Sequence, residues 1–497
     1  MIDKAEPLSD HFSQLQEQVI DPGLCNYCGT CVAVCPEDCI EMPWPNLVPT
    51  LVPGRECATS CDLCIKVCPG KEILYDELSL KLFGRPPRIE DEYFGACREY
   101  YFGHAADPIV WQRAAGGGIA SALAIWLLET GEVDGVILCG MSEDAPWKTV
   151  GKLVRTREEV LANAGTRYSI VPTNATLREV REAKERYVLV GAGCHISGFR
   201  KMVDVDSERE WAKKVPFTIG IMCGGNVTPM ATLHLISEMG IEDLSQIKEF
   251  RHRGVGGTGA EAILKNGEKV QLKQHFGFQH QRMLLFHKAE GCLFCMDNVS
   301  ELADLTVGDY DNRSEGVLYV RSERGATLVQ KAIEAGILEA KEIDYVTTLK
   351  GGSTFAYVKA CGGSEEKVEE LEAVIPEERT LGNRGNCRLY TLLKERRQRG
   401  LPVTSYGGRE QLLQNVWDKR KISPLTRLVW WAMKQPLLIS LAKRLPPAAQ
   451  FELQKLNMGY RLGEPFHGAG EEAQRRIKVL GWEQFVEEAK KSRSPRL

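Results

Sequence analysis

The sequence predicts a multidomain protein of mixed α+β and α/β class: a small cysteine-built N-terminal domain, an α/β body and a basic helical C-terminal extension. Three observations carry that expectation. Two cysteine repeats lie within residues 25–69, glycine-led apolar helices alternate with short buried strands between residues 111 and 320, and cation-rich, helix-patterned sequence follows residue 382. The expected boundaries are 1–90 for the N-terminal domain, 91–215 and 216–350 for two parts of the body, and 351–497 for the extension.

Composition narrows the class further. With 497 residues, 43% hydrophobic, 26% charged, 47 Gly and 23 Pro, the chain is long enough for sizeable cores and is ordinary for a globular protein. No apolar run approaches the roughly 18 residues of a spanning helix. The opening stretch MIDKAEPLSDHFSQLQEQVI lacks the apolar segment of a secretory signal, so a reducing cytoplasm is the expected compartment. In that setting 17 cysteines point to metal or redox chemistry rather than to structural disulfides. Residues 382–497 carry 23 Lys+Arg against 10 Asp+Glu, so the net charge of −4 divides into +13 there and −17 over the rest. An acidic body with a basic tail is not the pattern of a nucleic-acid binder. It suits a tail that docks an acidic partner or an anionic membrane surface, or simply a solvated helical extension.

The N-terminal domain is defined by Cys25-x2-Cys28-x2-Cys31-x3-Cys35-Pro36 and by Cys57-x3-Cys61-x2-Cys64-x3-Cys68-Pro69. Two-residue steps let a tight loop aim three thiolates at one [4Fe-4S] cluster, while the Cys before Pro reaches the neighbouring cluster. On that rule Cys25, Cys28, Cys31 and Cys68 hold one cluster, and Cys57, Cys61, Cys64 and Cys35 hold the second. Cys57 stands one residue further from its neighbour than usual. Zinc also takes Cys-x2-Cys, but it requires neither the third step nor the Cys-Pro ends, and both occur twice. The expected domain is therefore of the bacterial 2×[4Fe-4S] ferredoxin type. Cys39 reads as a packing residue behind the first loop.

The body begins at Gly116-Gly117-Gly118, which opens a helix with apolar Ile119, Leu123, Trp126 and Leu127 and leads to the buried strand Val136-Ile137-Leu138. Such a glycine run either lets backbone N–H groups approach a phosphate or is only a turn. The polar loop Gly165-Thr166-Arg167-Tyr168 precedes a charged helix and the strand from Tyr187 to Val190. Gly191-x-Gly193 fails the dinucleotide fingerprint, because the next glycine is Gly198, and Cys194 stands at the strand's C-terminal end. The literal G-x-G-x-x-G at Gly254, Gly256 and Gly259 follows no buried strand; it reads as a glycine loop beside Arg251, His252 and Arg253 that could clamp an anion, ahead of a hairpin turning at Asn266-Gly267. Cys223 and Cys292-x2-Cys295 join Cys194 as thiols outside the N-terminal domain, and spacing alone leaves them as either ligands or buried free cysteines.

In their order these segments resemble the beta subunit of coenzyme F420 hydrogenases and dehydrogenases, a family related to 7-hydroxymethyl chlorophyll a reductase. The resemblance spans roughly residues 20 to 345, through Gly116-Gly117-Gly118, Asp134-Gly135, Gly165 to Tyr168, Val190 to Cys194, Cys223-Gly224-Gly225, Cys292-x2-Cys295, Ala303-Asp304-x-x-Val307-Gly308-Asp309 and Val320-Arg321 to Gly325. It departs at Gly191-Ala192-Gly193-Cys194-His195, where the family carries Pro before the Cys and Gln after it. The resemblance implies FAD in the α/β body, lined by Gly116, Gly117, Gly118, Gly165, Thr166, Arg167 and Tyr168, with a third [4Fe-4S] cluster on Cys194, Cys223, Cys292 and Cys295. It names no catalytic acid or base; His195 reads either as a proton donor or as a structural hydrogen bonder.

The implied function is hydride exchange between coenzyme F420 and FAD, with single electrons passed through the clusters to or from a partner protein or complex. Two alternatives are a ferredoxin-dependent reductase of a tetrapyrrole or other conjugated ring, and a flavin-free iron–sulfur adaptor. In the extension, Leu425, Leu428, Val429 and Ala432, then Leu437, Leu438 and Leu441 after Pro436, fall at helical spacing among Arg427, Lys434, Lys443 and Arg444. With Trp430 and Trp431 this reads as either a peripheral membrane contact at the inner face or packing onto protein.

Overall fold

The computed structural model describes residues 10–57, 61–87, 95–254, 258–273, 276–293, 295, 297, 299–309, 315–343, 364, 432, 436–446, 449–450 and 453. The chain starts with α1 (Asp10–Leu15), which runs into a π-helical turn at Gln16–Ile20. Short helix α2 (Thr30–Val34), the paired strands β1 (Ile40–Glu41) and β2 (Thr50–Leu51), and α3 (Leu63–Lys66) follow, then α4 (Tyr75–Phe83). Leu15, Val19, Leu24, Val32, Ile40 and Ile65 form a small core in which Cys31, Cys35, Cys39 and Cys64 are buried.

The body is built on an eight-stranded mixed sheet. In chain order its elements are β3 (Glu99–Ala105), α5 (Pro108–Arg113), α6 (Ile119–Glu129), β4 (Gly135–Met141), β5 (Thr149–Val154), α7 (Arg157–Ala162), β6 (Tyr187–Ala192), α8 (Gly193–Val205), α9 (Trp211–Lys214) and β7 (Phe217–Ile221). After α10 (Met230–Glu238) come β8 (Ile247–Arg251), β9 (Glu261–Leu264), β10 (Lys269–Gln271) and α11 (Phe276–His287), then β11 (Leu305–Asp309), β12 (Gly316–Val320), α12 (Glu323–Glu334) and β13 (Leu338–Glu342). The strand order is β13-β3-β12-β11-β7-β6-β4-β5. Strands β11, β7, β6 and β4 are mutually parallel, and antiparallel pairs flank them. Parallel strands are covered on both faces, which explains their near-continuous apolar runs. One face packs on α6 and α12 through Leu123, Leu127, Leu328 and Val329. The other packs on α8 and α9 through Phe199, Met202 and Trp211.

That second core also takes in Ala33, Val34, Val67, Ile73 and Tyr75, so the cysteine-rich region is packed into the body. Polar ties reinforce the contact: Asn174 Nδ2 donates to Thr30 Oγ1 at 2.9 Å, and the Arg178 guanidinium donates to the carbonyls of Val32 and Ile40 at 2.9 and 2.8 Å. Arg200 of α8 donates to the buried Asp304 carboxylate at 3.0 Å and to Thr218 Oγ1 at 2.8 Å, locking α8 to β7 and the approach to β11. Cutting one partner from a buried pair of this kind costs about 3–5 kcal/mol.

Several local expectations change. Segment 249–253, expected not to be a strand, contributes to β8, because the small antiparallel sheet β10-β9-β8 needs only Ile247 and Phe250 buried against α10 and α11. The hairpin at Asn266-Gly267 is present, with Gly267 at φ 88°. The charged helix before β6 is a 3-10 helix, Thr173–Val180, and the turn after β6 is α8 itself. In the extension, α13 (Pro436–Ala442) leads to Gln450, whose Oε1 accepts from Arg282 Nε of α11 at 3.1 Å. Leu425, Leu428, Val429, Trp430 and Trp431 lie outside the described residues. Among the described residues no helix is long and apolar enough to cross a membrane.

Candidate functional site

The structure gathers the twelve cysteines singled out above into three sets in a row. Cys25, Cys28, Cys31 and Cys68 line one cavity and lie within electrostatic reach of one another. Cys35, Cys57, Cys61 and Cys64 form the second set. The packing residue Cys39 lies there too, with its sulfur 3.4 Å from that of Cys35. Cys194 at the start of α8, Cys223 just after β7, and Cys292 and Cys295 after α11 converge as the third set. Cys31 and Cys68 face Cys64, which joins the first set to the second. Cys28 faces Cys194 and Cys25 faces Cys292, which joins the first to the third.

Burial pushes these acids up, followed by the neighbouring thiols and, at Cys295, by the Asp297 carboxylate. Cys28 and Cys223 rise to about 11 and Cys64 to about 12, and Cys25, Cys31, Cys194 and Cys295 also rise. Thiolates enclosed together in this way call for a positive group among them; a bound metal supplies it and displaces the protons. Among the described residues no three His, Cys, Asp or Glu side chains close to the spacing of a single ion.

In the third set, Cys194 and Cys223 stand just past the C-terminal ends of the parallel strands β6 and β7, where open α/β sheets place their ligands. Asn226, three residues beyond Cys223, donates from Nδ2 to Ser169 O at 2.8 Å, and Ile170 N donates to Val227 O, so the Cys223 loop is bonded to the 165–170 loop. His195 is held from both sides: Ala192 N donates to its Nδ1 at 3.1 Å, and its Nε2 lies 2.9 Å from Val171 O. That pattern makes it the Nε2–H tautomer and a structural hydrogen bonder, and burial lowers its pKa.

Gly116, Gly117 and Gly118 all lie at positive φ (57°, 64° and 75°), a run that only glycine adopts without strain. A Cβ on Gly117 would stand 2.6 Å from Gly103 O and 2.8 Å from Gly316 N. The turn is thus pressed against the backbones of β3 and β12. The Gly116 N–H donates to Asp309 Oδ1 at 2.9 Å, so an internal carboxylate occupies the donor that a phosphate reading would give to a ligand. Asp309 Oδ2 accepts from Arg253 at 2.8 Å, and Arg253 also reaches Tyr168 Oη at 3.4 Å.

Gly165, Thr166, Arg167 and Tyr168 form a half-buried loop beside that turn, with Gly165 facing Arg113 O. Arg251 is tied to Glu249 at 2.8 Å. Beside this loop, among the described residues, the buried nitrogens Arg167 Nε and His252 Nδ1 have no hydrogen-bond partner. His252 Nε2 is engaged by Thr232 Oγ1 at 2.9 Å, and burial, with Arg167 and His280 beside it, lowers its pKa to about 3. An orphaned guanidinium N–H beside a neutral imidazole is a donor set that fits a polar, electron-rich ligand.

Residues 100–178 match the model for the N-terminal part of the coenzyme F420 hydrogenase/dehydrogenase beta subunit, and residues 184–346 match that for its C-terminal part. Residues 19–41 match a 4Fe-4S binding domain. The chain belongs to the coenzyme F420 hydrogenase/dehydrogenase beta-subunit family. It is 28% identical to the coenzyme F420 hydrogenase subunit beta of Methanosarcina barkeri over 60% of this chain and 98% of that one. It is 26% identical to the coenzyme F420-dependent sulfite reductase of Methanocaldococcus jannaschii over 64% of this chain and 47% of that one, so it spans about half of that enzyme. Among solved structures it is similar to a chain of the F420-reducing [NiFe] hydrogenase complex from Methanosarcina barkeri, at 27% identity, 51% and 85% coverage and a TM-score of 0.42. As a member of this family the protein is an oxidoreductase with an iron–sulfur domain.

Within the family frame, the two matched parts meet between the 3-10 helix and β6, and the thiols of the third set all lie in the C-terminal part. Sequence reasoning named those thiols but missed Asp309 as the tie between the glycine turn and Arg253. It also missed Lys201, whose Nζ donates to Cys68 O at 2.8 Å and Glu72 O at 2.7 Å. The Val307-Gly308-Asp309 stretch within the family resemblance was the one available signal for the former; a lysine in mid-helix carried none for the latter.

Proposed function

We propose that this protein exchanges hydride with coenzyme F420 through a bound FAD and passes single electrons along three [4Fe-4S] clusters to or from a partner complex. The observation that carries the proposal is the row of thiol sets, which runs from the strand ends of the body (Cys194, Cys223, Cys292, Cys295) through the middle (Cys25, Cys28, Cys31, Cys68) to the set nearest the surface (Cys35, Cys57, Cys61, Cys64). Four thiols in each set match the ligand number of a [4Fe-4S] cluster. The two named relatives differ in their second substrate, a hydrogenase and a sulfite reductase, and share F420 in their names; that common element supports F420 as the hydride partner here. The hydrogenase relative is a subunit, which supports a partner complex for this chain.

FAD, when bound, would supply the conversion between two-electron hydride chemistry and one-electron transfer. Arg167 and His252 would hold it: the guanidinium brings a fixed positive charge, and the imidazole, neutral at working pH, brings an uncharged polar contact. Asp309 and Arg253 brace this site by tying the glycine turn to the loop after β8. The clusters would be held by the twelve thiolates, with charge from the metal offsetting their mutual repulsion.

The test is anaerobic purification followed by denaturation and cofactor analysis. The expected result is one FAD and about twelve iron per chain. Iron without flavin would instead establish the adaptor reading.

A further inference from the structure

Helix α8 (Gly193–Val205) is a wall shared by the first and third thiol sets. Positions 194, 198 and 201 fall at i, i+4 and i+7 and so lie on one helix face. Cys194 belongs to the third set. A Cβ on Gly198 would stand 2.2 Å from Thr30 Oγ1 and 3.4 Å from Cys28 Sγ, so the helix touches the first set's loop directly. One turn on, Lys201 Nζ donates to Cys68 O at 2.8 Å and to Glu72 O at 2.7 Å, which fixes the ammonium against the first set's loop.

The charges around the three sets differ. Lys201 and Lys71 are the cations facing Cys68, and Lys201 also faces Cys28. In the second set an anion, Asp62, faces Cys61. In the third set Lys288 faces Cys223 and Cys292, while Asp297 opposes it at Cys223 and Cys295. Reduction adds one negative charge to a cluster. In an enclosed site that charge is costly, and a fixed cation a few ångströms away lowers the cost.

We propose that Lys201 is a positioning residue that raises the reduction potential of the cluster held by Cys25, Cys28, Cys31 and Cys68, making the middle of the row the favoured resting place for an electron between the third set and the second. This rests on reading the thiol sets as cluster ligands. The half-buried ammonium offsets the penalty that enclosure places on the middle cluster and keeps it from becoming a barrier in the row.

The test is an anaerobic potentiometric titration, followed by electron paramagnetic resonance and visible absorbance, of the iron-loaded full chain and its Lys201→Gln and Lys201→Arg variants. Iron per chain is counted first, which tests the cluster reading independently of Lys201. The expected result is unchanged iron in K201Q, a lower midpoint potential for one cluster with the others unmoved, and recovery of the wild-type potential in K201R, which keeps the charge. Wild-type potentials in an iron-replete K201Q overturn the proposal. So does an equal shift in K201R, which would trace the effect to contact geometry. If K201Q loses iron, K201R decides: wild-type iron and potentials support the charge, and loss of iron there too overturns it.

Discussion

Gly117→Ala separates two roles for the triglycine turn, and the structure contains its own control. Gly117 lies at φ 64° with a virtual Cβ 2.6 Å from Gly103 O and 2.8 Å from Gly316 N. Gly131, after α6, lies at φ 68° with nothing within 4 Å of its virtual Cβ. A left-handed alanine costs about 1–2 kcal/mol at either position. At Gly117 the new methyl also meets two backbone atoms of β12 and β3 that no rotamer change can move aside. Overpacking of that kind adds about 1–3 kcal/mol. G117A should therefore destabilise the protein by about 2–5 kcal/mol and G131A by about 1–2 kcal/mol. Native stabilities are only about 5–15 kcal/mol, so the larger loss is readily measured. The assay is anaerobic urea unfolding of both variants in the same cofactor state, followed by tryptophan fluorescence, with flavin content measured alongside. Equal destabilisation by G117A and G131A would refute the close packing of the turn. A drop in flavin in G117A with no extra loss of stability would mean that the turn serves a ligand alone.

Two other outcomes follow from the site. Cys194→Ser should lower iron from about twelve to about eight per chain, while Cys97→Ser, a buried thiol donating to Val320 O outside the three sets, should leave it unchanged; equal counts in both variants would contradict the third set. His252 is held neutral by burial, with a pKa of about 3 against an ordinary 6.5, so the unfolded chain takes up a proton that the folded chain refuses. Stability contributed by the neutral imidazole is complete above pH 6.5, declines as pH falls towards 3, and has declined by about 2 kcal/mol at pH 5. The difference in unfolding free energy between pH 7.5 and 5.0 should be smaller by about that amount in His252→Gln, and an unchanged difference would contradict the buried neutral imidazole.

The two N-terminal thiol sets were legible because their ligand spacing is local: a loop of two-residue steps encodes its own geometry. The third set was legible only as separate cysteines, since α8, the loop after β7 and the segment after α11 bring Cys194, Cys223, Cys292 and Cys295 together across about 100 residues. Periodicity located α6 and the buried strands. It understated β6, because Gly191 and Ala192 continue the pairing with β7 before α8 begins at Gly193. The triglycine motif announced a turn, but its reason lies in β3 and β12, on either side of it in sequence. Asp309 and Lys201 act through long-range contacts to Gly116 and Cys68, which no local pattern encodes.

The central claim is that hydride enters at the FAD site proposed beside Arg167 and His252 and leaves as single electrons through the thiol-held clusters. Its most direct test is an anaerobic titration of the as-isolated protein with reduced coenzyme F420, following flavin and cluster absorbance. The predicted result is stoichiometric bleaching of the flavin followed by the clusters. An absence of bleaching, in protein shown to hold FAD and to be reducible by ferredoxin, would contradict it and leave the ring-reductase reading in its place.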